Sequence, residues 1–324
     1  MKRIEFLSKN NTYCLRGIAI TMIILSHCYN GYPTSSPQHF FPHWIDLMRM
    51  DLWGGAGAGI FLFLSGYGMF FSLSEREGRI GKGYVAAKLR RLLEPFLIYW
   101  LVEIITLFIF AKAELTPHIF YEIITFSIHP DVENWFFKVI MGVYVISIFL
   151  FIIKLSHRTR IIILFGISLI YLLVMRHSGF GLWWYDNILC FPLGMLFGYR
   201  KAWFERLSPI IMMIISIFVM SVCLFIHFNS IIFHLFVVLF AIYALMYVPL
   251  SNRLLYYCGY NSIVFYFMEC PIEDKIMMFS YTNFPVYCIL SVLGTLLLSW
   301  VCITPCGCTS SSGRRWVRHR RGRD

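Results

Sequence analysis

LRGIAITMIILSHCYN, residues Leu15 to Asn30, is an apolar run with Arg16 at its start and His27 near its end. The bilayer core takes about 20 apolar residues of helix, so this run reads as one membrane span. At about 100° per residue, Arg16 and His27 lie about 20° apart around the helix and about 16 Å apart along it. One helical face therefore carries a cation at its edge and an imidazole inside. An ionisable group within a bilayer is costly and faces a protein interior or a watery cavity, which makes His27 the first functional candidate. The competing reading is a histidine at the far interface, hydrogen-bonded to a neighbouring helix.

The rest of the chain has the same character. Its 324 residues are 59% hydrophobic and 14% charged, and the mean hydropathy is +0.69, too apolar for a soluble globule of this size. Apolar runs recur near residues 13–31, 54–73, 93–111, 135–153, 160–175, 182–199, 209–227, 231–249, 257–272 and 284–304. They predict an all-α polytopic membrane bundle of about ten transmembrane helices, with both termini on one side. The basic residues agree with that layout. The clusters Arg76 to Arg91, Lys154 to Arg160 and Arg200 to Arg206, with both termini, fall on one side, against Arg49, Lys112, Lys138, Arg176 and Lys275 on the other. By the positive-inside rule both termini are cytoplasmic, as for a multi-pass protein of the inner membrane, and the +11 net charge is a topology signal that calls for no nucleic acid. The first span has no small-x-small cleavage site and is expected to be retained.

Most of the ten cysteines stand singly in apolar spans, and no histidine or second pair at zinc spacing accompanies Cys302, Cys306 and Cys308, so no metal is expected. The loop from Gly31 to Trp53 is expected outside, with His39, His43, Asp46 and Asp51 among prolines and aromatics. GGAGAG, Gly54 to Gly59, lacks the lysine and the preceding strand of a nucleotide loop, and Gly55 with Gly59 reads as a surface that lets another backbone approach. Ser65, Gly66 and Gly68 mark a place where a membrane helix bends or widens.

At the inner mouth of the third span, Lys88, Arg90 and Arg91 suit phosphate groups, although positive-inside flanking alone also explains them. Pro95 fits the first turn of a helix. Glu103 is a lone carboxylate in the third span, and Trp135 and Lys138 open the fourth. Asp186 below Trp183-Trp184-Tyr185, and His227 and His234 around a short turn, read as interfacial. In the ninth span Glu269 is the deeper acid. Residues 1–304 form the transmembrane domain, and 305–324, PCGCTSSSGRRWVRHRRGRD, a basic cytoplasmic tail that cannot bury a core.

Several segments resemble, in order, the acyltransferase 3 family of membrane O-acyltransferases, which includes O-antigen and peptidoglycan O-acetylases. Arg16 and His27 match its basic residue, ten intervening positions and histidine. FLFLSGY (61–67) resembles its leucine-serine-glycine segment, and KLRRLLEP (88–95) its basic pair before proline. NWFFKVIMGVY (134–144), ILCFPLGMLFGY (188–199) and CGYNSIVFYFMECPI (258–272) resemble its fourth, sixth and ninth spans. The chain departs from the pattern at Lys88, where arginine is expected, and at Glu269, where a histidine is expected. The resemblance implies a cytoplasmic acyl-CoA donor, most often acetyl-CoA, and a hydroxyl acceptor on an envelope glycan or lipid-linked sugar. His27 would then be the base or proton relay. Arg16, with Lys88, Arg90 and Arg91, would hold the CoA side, while Ser65 and Gly66 line the acyl passage and Glu103, Trp135 or Glu269 support the site. The rival classes are a transporter or flippase and a noncatalytic membrane protein.

Overall fold

The structure is a computed structural model that describes residues 7–31, 51–109, 116–125, 135–226, 230–248, 250–269 and 284–303. The outer loop after Gly31 and the basic tail lie outside the described residues. The described chain is all-helical. Its helices are α1 (Lys9–Gly31), α2 (Asp51–Ser74), α3 (Lys82–Ile109), α4 (Pro117–Thr125), α5 (Trp135–Ile152), α6 (His157–His177), α7 (Cys190–Tyr199) and α8 (Lys201–Phe204). After them come α9 (Pro209–Phe225), α10 (Ser230–Ala244), α11 (Arg253–Tyr260), α12 (residues 262–269) and α13 (Phe284–Ile303), with a 3₁₀ turn at Leu182–Trp184.

Among the described residues, three helices are long and apolar enough to cross a membrane, namely Leu52–Ser74, Trp135–Ile152 and His157–His177. The apolar helices α7, α9, α10 and the stretch Phe284–Trp300 are shorter. Two of the expected spans are interrupted. The sixth is a 3₁₀ turn and an irregular stretch before the ten-residue α7. The ninth divides at Asn261, whose amide Nδ2 donates back to the Tyr257 carbonyl at 3.0 Å and ends α11. A third difference concerns Pro95, expected at a helix start. It sits inside α3, where it cannot donate to the carbonyl of Arg91 four residues back.

α2 is the central element. It packs on α1 along one side and on α7, α10 and α5 along others, and almost all of its residues from Ala56 to Tyr67 are buried. Glycines permit the closest crossings. A Cβ on Gly66 would strike the Phe191 carbonyl of α7, and one on Gly194 the Phe63 carbonyl of α2. Gly17 of α1 and Gly259 of α11 meet in the same way. The GxxxG pair expected to admit a backbone is instead faced by side chains: the His234 imidazole lies on Gly55, and Asn187, Cys190 and Val238 lie around Gly59.

Polar groups close the end of the bundle below α2. Arg160, 2% exposed, bonds to Glu77 at 2.6 Å through Nη2 and to the Ile153 carbonyl at 3.0 Å. Its guanidinium also stacks over Phe151, 4.5 Å from the ring centroid. Ser156 caps α6 by accepting from the Thr159 amide at 3.1 Å. The hydrogen bond from Arg160 holds the Glu77 carboxyl below the usual range; burial opposes this, and the charges of Arg160 and His157 add to it. A lowered folded-state pKa means that the stabilisation is present above the unfolded value and lost as pH falls through the folded one. Glu77→Gln is therefore expected to lower stability at pH 7, by no more than about 1 kcal/mol because Glu77 is partly exposed. The gap between variant and wild type should close on acidification below the carboxylate range. Thermal unfolding in detergent across that range checks it, and a gap independent of pH would refute it.

Candidate active site

α1 is unbroken over 23 residues, so Arg16 and His27 do lie near one line of a single helix. Both are half-buried, while Ile20 and Ile23 between them are 1% and 2% exposed. The line is thus open at two ends and packed in the middle.

At the His27 end, Nδ1 lies 2.8 Å from Oε1 of Glu269. Glu269 is fully buried and His27 24% exposed. No further donor reaches either carboxylate oxygen among the described residues. The ninth span had offered Glu269, and the third Glu103, as candidate supports, and the structure sets Glu269 against the imidazole. The Glu103 side chain lies outside the described residues. Glu269 is held by the aromatic surroundings of α12. Phe267 packs against Phe96, Tyr99 and Phe137, and Phe96 stacks on Phe137 with centroids 4.0 Å apart. Tyr266 meets Phe136 at 5.2 Å, and the Phe136 ring lies 5.6 Å from that of buried Trp135. Trp135 thus supports the aromatic wall behind α12. Offset and edge-to-face pairs of this kind each add about 0.5–1.5 kcal/mol beyond their buried area.

At the Arg16 end stands a group of cations. Burial, and then the neighbouring charges of Arg91, Arg16 and Arg76, push the Lys88 ammonium below its ordinary value. Lys88 and Arg76 both lie over the Tyr84 ring, at 5.7 and 5.1 Å, and Tyr84 shares a 2.8 Å hydrogen bond with Ser72. Arg16 lies 5.8 Å from the Tyr13 centroid, and its Nε is enclosed with no hydrogen-bond partner among the described residues. Lys88 thus feels the charges of Arg16 and Arg91, both candidates from the sequence, and also that of Arg76, which the sequence offers only as a topology signal. Arg90 stands apart, exposed and paired with Glu94 one turn along α3.

Ser65 is buried in α2. Gly66, expected to line a passage, does not: the α7 backbone lies directly on it. Its role is close packing of α2 on α7.

A second buried polar group escaped the sequence reading. His234 Nδ1 lies 3.3 Å from Asp186 Oδ2, both residues nearly fully buried, and Asn187 Nδ2 donates to Asp186 Oδ1 at 2.7 Å. Read singly, each residue sat near a span end and looked interfacial; only the fold of the 182–189 stretch against α10 brings them together.

A family model described as an acyltransferase domain, that of acyltransferase 3, matches residues 13–304. No curated protein and no solved structure matches the chain.

Proposed function

The chain belongs to the acyltransferase 3 family, and from that membership we propose that this membrane acyltransferase moves an acetyl group from cytoplasmic acetyl-CoA to a hydroxyl of a cell-envelope glycan or lipid-linked sugar. The proposal includes the inner-membrane layout of about ten spans with both termini cytoplasmic. The observation that supports it best is the two-ended arrangement on α1. His27 engages a buried carboxylate at one end, and at the other Arg16, whose charge acts on Lys88, presents a donor with no partner among the described residues.

With Glu269 accepting from Nδ1–H, the lone pair of His27 sits on Nε2. That nitrogen takes the proton of the acceptor hydroxyl as its oxygen bonds to the thioester carbonyl carbon. The C–S bond then breaks, and the leaving thiolate recovers the proton from the imidazolium. Glu269 fixes the tautomer and stabilises the cation that forms, an interaction that strengthens as charge develops in a low-dielectric setting. At the cytoplasmic end the charges of Arg16, Arg76 and Arg91 act against Lys88, and no carboxylate pairs with any of the four among the described residues, an arrangement that a polyanion relieves. Guanidinium groups hold a diphosphate through paired donors. Between the ends, Gly57 of α2 packs closely on Ala19 and Ile23 of α1.

Membranes containing the protein are expected to transfer label from acetyl-CoA to an envelope glycan. Arg16→Gln is expected to raise KM for acetyl-CoA about 10- to 100-fold with a smaller change in kcat, as for loss of a charge-assisted hydrogen bond. Wild-type KM in Arg16→Gln would remove Arg16 from the donor site. Transfer from a different acyl-CoA, with none from acetyl-CoA, would replace the acetyl assignment.

A further inference from the structure

Away from both ends of α1, a cleft of about 200 Å³ lies between α5, α6 and the 182–188 stretch. On α5 it runs from Lys138 to Ile146 and on α6 from Leu164 to Met175, lengths of about 12 and 16 Å at 1.5 Å per residue. Its walls are apolar, with Val139, Val143 and Ile188 among them. Tyr171 closes part of the wall by donating its hydroxyl to the Trp184 carbonyl at 3.1 Å. The neighbouring surface of α6 is also apolar and open, with Leu169, Ile170, Leu173 and Val174 exposed, as suits a helix facing lipid.

The cleft is charged at one end only. Lys138 is exposed, and its ammonium lies 5.9 Å from the centroid of the Trp184 ring. It meets no carboxylate among the described residues. A cation beside an indole, three residues into a membrane helix, stands where headgroups meet hydrocarbon. The shape and the charge together describe a ligand with an anionic head and a long apolar tail.

We propose that this cleft binds an anionic phospholipid of the bilayer, one acyl chain lying between α5 and α6 and the phosphodiester at Lys138. Gly142 faces the site, and a Cβ built on it meets nothing within 4 Å. A larger side chain there enters the cleft without striking backbone, and leaving glycine inside a helix favours the fold. The other face of α5 carries Phe136 and Phe137 against Tyr266 and Phe267, so the bound lipid buttresses the helix that backs the Glu269 segment.

The test is native mass spectrometry of the purified full chain in neutral detergent, titrated with phosphatidylglycerol or with phosphatidylcholine of identical chains. Wild type is expected to retain the anionic lipid about fivefold better, the worth of one cation facing an anionic headgroup. Lys138→Gln should bring the two lipids level. Gly142→Leu should weaken retention of both about tenfold, equivalent to about two buried methylenes. Equal retention by wild type, a preference that survives Lys138→Gln, or undiminished binding in Gly142→Leu would each overturn the proposal.

Discussion

Glu269→Gln is expected to lower acyl transfer about 10²- to 10⁴-fold, the usual worth of a correctly oriented general base, with little change in KM for acetyl-CoA. Glutamine keeps the shape and an oxygen able to accept from His27 Nδ1. It removes the negative charge that holds the ring as proton acceptor and stabilises the imidazolium. The fold should survive, because a fully buried carboxylate with one partner is costly to desolvate, and a neutral isostere removes that cost. The combination of intact protein, unchanged donor KM and collapsed kcat separates a catalytic orienter from a structural ion pair. Wild-type kcat in Glu269→Gln would assign the contact to packing.

Much of the fold was legible because bilayer-length apolar runs need no tertiary information. Arg16 and His27 sit on one helix, as the spacing of eleven positions requires once that helix is continuous. What sequence could not settle depends on contacts between helices. Glu103 and Glu269 were both candidate supports as lone acids in apolar segments, Glu269 being the deeper. The placement of Glu269 against His27 comes with the packing of Phe96, Tyr99, Phe137 and Phe267, which no periodicity announces.

The breaks in the sixth and ninth stretches were hidden for a related reason. Hydropathy continues through residues 182–189 and through Asn261, although the backbone does not remain helical there. Hidden with them was the Asp186–His234 pair, since an interfacial aspartate and an interfacial histidine look ordinary one at a time. Pro95 misled in the opposite direction: a residue that so often starts a helix was carried inside one that begins at Lys82. The glycine-rich start of α2 was correctly read as a packing surface, but its partner at Gly55 is an imidazole.

The central claim is that His27 takes the proton from the acceptor hydroxyl, and the most direct test is transfer of label from acetyl-CoA by His27→Ala at matched levels of folded protein. Removing the imidazole strands the buried Glu269 carboxylate, a loss of about 3–5 kcal/mol when one member of a buried pair is deleted. The double variant His27→Ala/Glu269→Gln should recover that stability, and it supplies the folded protein for comparison. Transfer is expected to fall at least about 10²-fold in both backgrounds, with acetyl-CoA still bound through the Arg16 end. Wild-type transfer by folded protein lacking His27 would contradict the claim.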